Sequence, residues 1–368
     1  MPIVSLAELG EDVLAAVMRS LANPICPAAA IVLSSACRMI RDLPTIHDQL
    51  WQLRRDYSTV TALCSKIQIT CRGLAVQLSS TPNSPLRMSA LRERAMPWSN
   101  VNGFSQTLPR RDGLDVLTPY ESLETQGMRL EWSKRRINEL DCHALSALSR
   151  CGSLKRVQGL ALGSNMLGDA GMIAWCQGIE TGSLIALEDL WLSRNGLGGV
   201  GLAALAAAIT LGALQRLKGL FLSGNAIEDY GAASLAEAMC TGGLPQLAQL
   251  RLDSNCIGDK GLESLATAVA SGKALSKCEK LHIQRNRVQV RGMVALAEAG
   301  STGGMPACKL INVSLNDLGS CGVNALAQAI RLGAWPHLQH LYVGPRANSS
   351  LEEACAARGI IGCRMQSV

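Results

Sequence analysis

The chain has 368 residues, 48% of them apolar and 17% charged, and a formal net charge of +6. The apolar content excludes a chain disordered throughout, and the length admits two or three ordinary domains, or one solenoid with an accessory piece. The positive charge is spread along the sequence without a dense basic stripe, which argues against nucleic acid as the partner.

The opening Met1-Pro2-Ile3-Val4 lacks a basic segment followed by an apolar one, so no secretory leader is expected. No apolar run approaches the ~20 residues that cross a bilayer, so no membrane association is expected. Residues 1–77 show helical spacing instead. Leu9, Val13, Leu14, Val17, Met18 and Leu21 trace one helix face. Pro24 and Pro27 interrupt the chain. Further helices are predicted over about 28–43 and 46–71, with Leu50, Trp51, Val60 and Leu63 inward.

Three stretches of this segment follow one another in a telling order. Leu9-Gly10-Glu11-Asp12-Val13-Leu14 comes first, then Leu33-Ser34-Ser35-Ala36-Cys37-Arg38-Met39-Ile40-Arg41, then Asp48-Gln49-Leu50-Trp51. Together they resemble an F-box, although Gly10 stands where that family has proline. The resemblance implies docking to a ubiquitin-ligase adaptor through Leu9, Val13, Leu14, Val17, Leu50 and Trp51. An unrelated helical cap or bundle is the alternative.

Residues 78–125 break the composition. Pro82, Pro85, Pro97, Pro109 and Pro119 are interleaved with Ser, Asn and Arg, a density that defeats helix and strand alike. A linker is expected. Ser84-Pro85 and Thr118-Pro119 are turn pairs before they are phosphorylation sites.

From residue 126 to the end a unit of about thirty residues recurs. Its anchors are Asn165, Asn195, Asn225, Asn255, Asn286 and Asn316. Five and three residues earlier stand aliphatic pairs, such as Leu190/Leu192 and Leu281/Ile283, and six residues later a glycine, such as Gly201. Two worn copies extend the array to eight, Leu130/Trp132 with Arg135 and Leu341/Val343 with Arg346. A fixed period of this length specifies a stacked repeat protein.

One unit explains the pattern. Leu190-Trp191-Leu192 has period two, so its leucines face the core and Trp191 faces away. Asn195 stands at the turn, where its amide offers two donors and an acceptor to the backbone of its own and neighbouring units. Leu202, Leu205 and Ile209 lie three and four apart on one helix face, with Gly201 expected just before the helix. Gly212 is expected to end it in left-handed geometry. Parallel strands stack ~4.8 Å apart and helices need ~8–10 Å. The stack must therefore curve, with strands inside.

No catalytic signature of hydrolase, metalloprotease or nucleotide-binding type is present, so no enzymatic activity and no cofactor are expected. His337 and His340 lack a third ligand in sequence, which makes them surface histidines. The 14 cysteines form no CxxC pair. Cys176, Cys256 and Cys321 are expected to fill small core positions in a reducing compartment, the cytoplasm or the nucleus.

The residue between each pair of core aliphatics faces the inner surface. On successive strands this row holds Trp191, Phe221, Arg251 and His282, with Tyr342 on the last copy. The chain has only two phenylalanines, and one of them is placed here beside a Trp. Aromatics flanked by Arg are the composition of binding hot spots. Asp253, Gln284, Arg194 and Arg285 lie on neighbouring rows as a polar rim. Stacking along the ladder, without a partner, is the alternative.

The L-x-x-L-x-L-x-x-N-x-L pattern resembles the leucine-rich repeat. Helix-bearing units near thirty residues are similar to its ribonuclease-inhibitor-like subfamily. The resemblance implies an α/β fold: a curved leucine-rich-repeat solenoid, with parallel inner sheet and outer helices, behind a small all-α N-terminal module. It implies a protein partner held on the concave face, as in a substrate receptor of a ubiquitin ligase. A regulator of a small GTPase, like the Ran GTPase-activating proteins, is the alternative function.

Overall fold

The computed structural model describes residues 128–150 and 152–363, together with 59, 62, 63 and 66. Apart from those four positions, the module expected over 1–77 and the linker over 78–125 lie outside the described residues. So do all six adaptor-docking candidates.

Among the described residues, strands and helices alternate from one end to the other. The first half comprises β1 (Met128–Glu131), α1 (Glu139–Arg150), β2 (Val157–Ala161), α2 (Gly168–Cys176), β3 (Asp189–Trp191), α3 (Gly199–Thr210), β4 (Gly219–Phe221) and α4 (Asp229–Cys240). The second comprises β5 (Gln249–Arg251), α5 (Asp259–Ala270), β6 (Lys280–His282), α6 (Val290–Ser301), β7 (Leu310–Asn312), α7 (Gly319–Arg331), β8 (His340–Tyr342) and α8 (Ser349–Ala357). The strands form one sheet in the order β1 to β8. Every pair is parallel, and the register aligns Leu160, Leu190, Leu220, Leu250, Leu281 and Ile311 in one row.

That row is buried, as is the row two residues on, Leu162 to Val313. Trp132 in the worn first copy is 4% exposed, so it faces the core while Glu131 faces out. Leu205 and its counterpart Trp175 close the core from the helix side. Trp175 is fully buried and its indole N–H donates to Ser149 Oγ at 3.1 Å. The first unit is sealed by an upstream residue: Leu63 is fully buried in the same core. Beside it the Lys66 ammonium pairs with Asp141, a carboxylate only 3% exposed.

The anchor amides form a column. Asn225 Nδ2 donates to Leu192 O at 3.0 Å and Leu222 O at 2.9 Å, one carbonyl in each of two units. Its Oδ1 accepts from Asn195 N at 2.8 Å and Leu197 N at 3.2 Å. Asn165 and Asn316 repeat all four bonds. Asn255 and Asn286 accept from one amide each and donate to both carbonyls. The side chains thus satisfy backbone groups that the bend would leave unpaired.

The two glycine series have different causes. Gly212 has φ +80° at the end of α3 and Gly333 has φ +89° beyond α7, so both serve a left-handed helix stop. Gly201 lies inside the first turn of α3, not before it. A Cβ there would come within 2.4 Å of Asp169 Oδ1, because the Gly201 amide must reach that carboxylate at 2.9 Å. Asp169 also accepts from Gly198 N at 2.6 Å. It therefore caps the helix of the next unit. Asp229 does the same for α5 and Asp259 for α6.

The cysteine expectation is corrected in part. Cys321 is exposed, and Cys256 is half-buried outside the core cluster. Their offsets from the anchor point away from the core, where other units carry Tyr230 or Arg287. Cys176 packs partly buried against the core. The fully buried thiols are Cys142, Cys278 and Cys308.

Candidate functional site

Strand residues that do not point at the helices form the inner face. Trp191 on β3 and Phe221 on β4 are adjacent in register and both half-buried. Their rings stack with centroids 5.2 Å apart and planes 8° from parallel. The rings lie down on the sheet because glycines make room. A Cβ at Gly219 would meet Phe221 Cε2 at 2.6 Å, and one at Gly159 would meet the Trp191 ring at 3.3 Å.

Two charged residues absent from the sequence expectation complete this patch. The Arg129 guanidinium lies 5.9 Å from the centroid of Trp191, within cation–π range. Its Nη2 also contacts Asp189 Oδ2 at 3.3 Å, bridging from β1 to β3 over Gly159. Burial raises the Asp189 pKa above its ordinary value, and Arg129 partly offsets that rise. These residues precede the first core leucine of their units, one position outside the L-x-L row.

A second cluster adjoins it. Arg251 Nε donates to Asp253 Oδ1 at 3.1 Å, and Ser223 Oγ donates to the same oxygen at 2.7 Å. Asp253 and Gln284 are 7% and 8% exposed, so they form the floor of the face and not its rim. His282 Nδ1 and Gln284 Oε1 are buried without a hydrogen-bond partner. Burial, then the adjacent Arg251, pushes the His282 pKa down to about 4, against the opposing pull of Asp253. His282 is therefore neutral near pH 7.

The remaining candidates are not brought into this patch. Arg194 and Arg285 are exposed at the anchor turns, both with φ +56°. Tyr342 sits on β8, four strands or ~19 Å from Phe221. It stacks on His340 at 6.2 Å and packs under Gly362. His337 is exposed. The inner face thus presents aromatic area and paired charges, an arrangement suited to contact.

A family model described as leucine-rich repeat matches residues 186–206 and 247–266. Those segments hold β3 with most of α3, and β5 with most of α5. The chain carries leucine-rich repeats. Its α/β architecture is the leucine-rich-repeat solenoid, eight parallel strands backed by helices. No curated protein matches the chain. Among solved structures it is similar to a TDR receptor, 16% identical over 60% of this chain and 36% of that one, TM-score 0.34. It is similar to the plant peptide hormone receptor RGFR1 in complex with RGF2, 15% identical over 54% of this chain and 33% of that one, TM-score 0.29. An internalin from Listeria monocytogenes is 15% identical over 58% of this chain and 77% of that one, TM-score 0.26. The leucine-rich-repeat chain spans about a third of the length of the two receptor structures. Among the described residues no helix is long and apolar enough to cross a membrane.

Proposed function

We propose that this chain is a non-enzymatic recognition scaffold that binds a protein partner on the concave face of its repeats. The observation that carries the reading is the half-buried Trp191–Phe221 stack, set between the Arg129–Asp189 pair and the Arg251–Asp253 pair. Aromatic area at the centre of a charged surround is the composition of an energetic hot spot.

The narrower version places the repeats in the ribonuclease-inhibitor-like subfamily and makes the chain a substrate receptor for a ubiquitin ligase. It rests on the F-box-like order of residues 1–77, with the adaptor on that segment and the target on the repeats. The protein then works in the cytoplasm or nucleus, a setting that suits its free cysteines. A GTP-hydrolysis assay with a Ran-like GTPase separates this version from the small-GTPase regulator.

Affinity capture with the full chain tests the main reading. Wild type and the double variant Trp191→Ala/Phe221→Ala are compared side by side, with circular dichroism to confirm folding. A partner held by wild type and lost by the folded double variant supports the concave site. A partner held equally by both excludes it.

A further inference from the structure

The last strand of the sheet does not end in an open edge. Ile361 bridges His340 in parallel. Leu341 N donates to Ile361 O at 3.0 Å, and Ile361 N donates to Gln339 O at 2.8 Å. Val343 N and Gly344 N reach Cys363 O at 3.4 and 3.2 Å. Residues 361–363 thus lie along β8 as a short additional strand. An uncovered edge there would offer a template for pairing with another chain.

Cys363 ends that segment, and its Sγ lies 3.0 Å from the Sγ of Cys355 in α8. Cys355 is 2% exposed while Cys363 is half-buried. Between them Gly359 at φ +67° and Gly362 at φ +97° turn the chain back on itself. No other pair of described cysteines has a sulfur–sulfur hydrogen bond. We propose that Cys355 and Cys363 are a redox-sensitive dithiol, oxidised to a disulfide by a hydroperoxide, which locks residues 361–363 onto the edge of β8.

The two sulfurs have distinct roles. The hydrogen bond between the two thiols holds the Cys363 pKa below the ordinary thiol value, with burial opposing. The same bond and burial raise that of Cys355. Elsewhere burial pushes Cys142, Cys176 and Cys278 up to about 12, which keeps them protonated and inert. The more accessible Cys363 thiolate is therefore the nucleophile. It attacks one oxygen of hydrogen peroxide, the O–O bond breaks, and hydroxide leaves behind a sulfenic acid on Cys363. Cys355 then attacks that sulfur. The S–S bond forms, the S–O bond breaks, and the departing hydroxide takes the Cys355 proton as water. Two thiols and one peroxide give one disulfide and two waters.

The disulfide joins α8 to the added strand, so detaching that strand requires reduction first. The reduced form holds it by non-covalent contacts: main-chain hydrogen bonds, the thiol hydrogen bond, the packing of Cys363 against the core and that of Gly362 against Tyr342.

The test uses the full chain. Wild type is treated with hydrogen peroxide at equimolar concentration, quenched, alkylated, digested without reductant and mapped by mass spectrometry. The expected result is a Cys355–Cys363 crosslinked peptide, lighter by two hydrogen atoms and abolished by dithiothreitol. Hydrogen exchange at Leu341 and Ile361 is expected to slow in the oxidised form, and Cys363→Ser to lose both effects. Recovery of both residues alkylated overturns the dithiol assignment. So does oxidation of Cys363 to a sulfinic acid without linkage to Cys355. A crosslink that leaves exchange at Leu341 and Ile361 unchanged overturns the lock.

Discussion

Trp191 lies face to face with Phe221 on the neighbouring strand, ring centroids 5.2 Å apart, and this spacing is close to the strand separation itself. The pair is therefore a direct product of repeat register. It also depends on missing side chains, since a Cβ at Gly219 would sit 2.6 Å from Phe221 Cε2 and 2.5 Å from Asp189 Oδ1. Gly219→Val should lift the Phe221 ring off the sheet. The stability cost should be small, about 0.5–1.5 kcal/mol for a lost aromatic pair, because the core row beneath is untouched. Partner affinity should fall by about 2 kcal/mol or more, the hot-spot range. Calorimetric titration against a captured partner checks this, and unchanged affinity would remove the stack from the binding site.

The asparagine column predicts unequal costs for one substitution. Asn225 makes four bonds, two given and two received. Asn195 donates to Leu162 O and Leu192 O, each at 3.0 Å, but its Oδ1 is buried without a partner. Leu167, at the place of the Leu197 donor, has already entered helical geometry with φ −63° and ψ −46°. Asn225→Ala should cost about 1–3 kcal/mol, and Asn195→Ala measurably less. Urea unfolding of the two variants decides the order, and a larger loss for Asn195→Ala would contradict this account of the column.

The repeats were legible because their signals are local. A leucine pair, an asparagine and two glycines recur at fixed offsets, and six full copies multiply the signal. What escaped was side-chain contact between units beyond the asparagine column. Asp169, Asp229 and Asp259 bond amides about thirty residues downstream, so nothing beside them in the chain marks their role. Arg129 and Asp189 meet across an intervening strand for the same reason. The buried thiols Cys278 and Cys308 hold the place of Leu247 ahead of their strands. Comparison by repeat offset finds them, and the same comparison places Cys321 beside the exposed Val200 and Tyr230. At the inner face the L-x-L row gave Trp191, Phe221, Arg251 and His282 but not depth. Whether Asp253 or Gln284 is rim or floor depends on how neighbouring side chains lean, which spacing does not encode.

His282 supplies a pH dependence. Its folded pKa of about 4 lies below the ordinary 6.5, chiefly through burial. Between those values the unfolded chain takes up a proton that the folded chain refuses, so stability falls as the pH falls through that window. His282→Asn removes the titration and keeps a polar side chain, as Asn312 does on the next strand. The thermal midpoint of wild type should therefore drop more than that of His282→Asn between pH 7 and about pH 4. Equal drops in both would mean that solvent reaches the ring.

The capping aspartates offer a stabilising substitution. Asp229 Oδ1 accepts from Gly258 N at 2.6 Å and Gly261 N at 3.0 Å, satisfying two of the free amides at the start of α5. A carboxylate there also faces the positive end of the helix. Asp229→Ala should cost about 0.5–2 kcal/mol, the usual loss of a side-chain cap. The unit before α4 lacks this device, because Gly199 stands where Asp169, Asp229 and Asp259 stand in theirs. A Cβ at Gly199 would lie 3.3 Å from Gly231 N and 3.3 Å from Tyr230 Cδ1. The first contact sets a carboxylate beside the amide that needs an acceptor, and the second is with an exposed ring free to swing aside. Gly199 does not have positive φ, so aspartate fits its backbone, and replacing glycine also reduces the entropy of the unfolded chain. Gly199→Asp should raise stability by about 0.5–1.5 kcal/mol, with the gain reduced at high salt. Denaturant unfolding of Gly199→Asp beside Gly199→Ala separates the cap from the backbone term. A variant with aspartate no more stable than the one with alanine would show that the carboxylate does not reach α4.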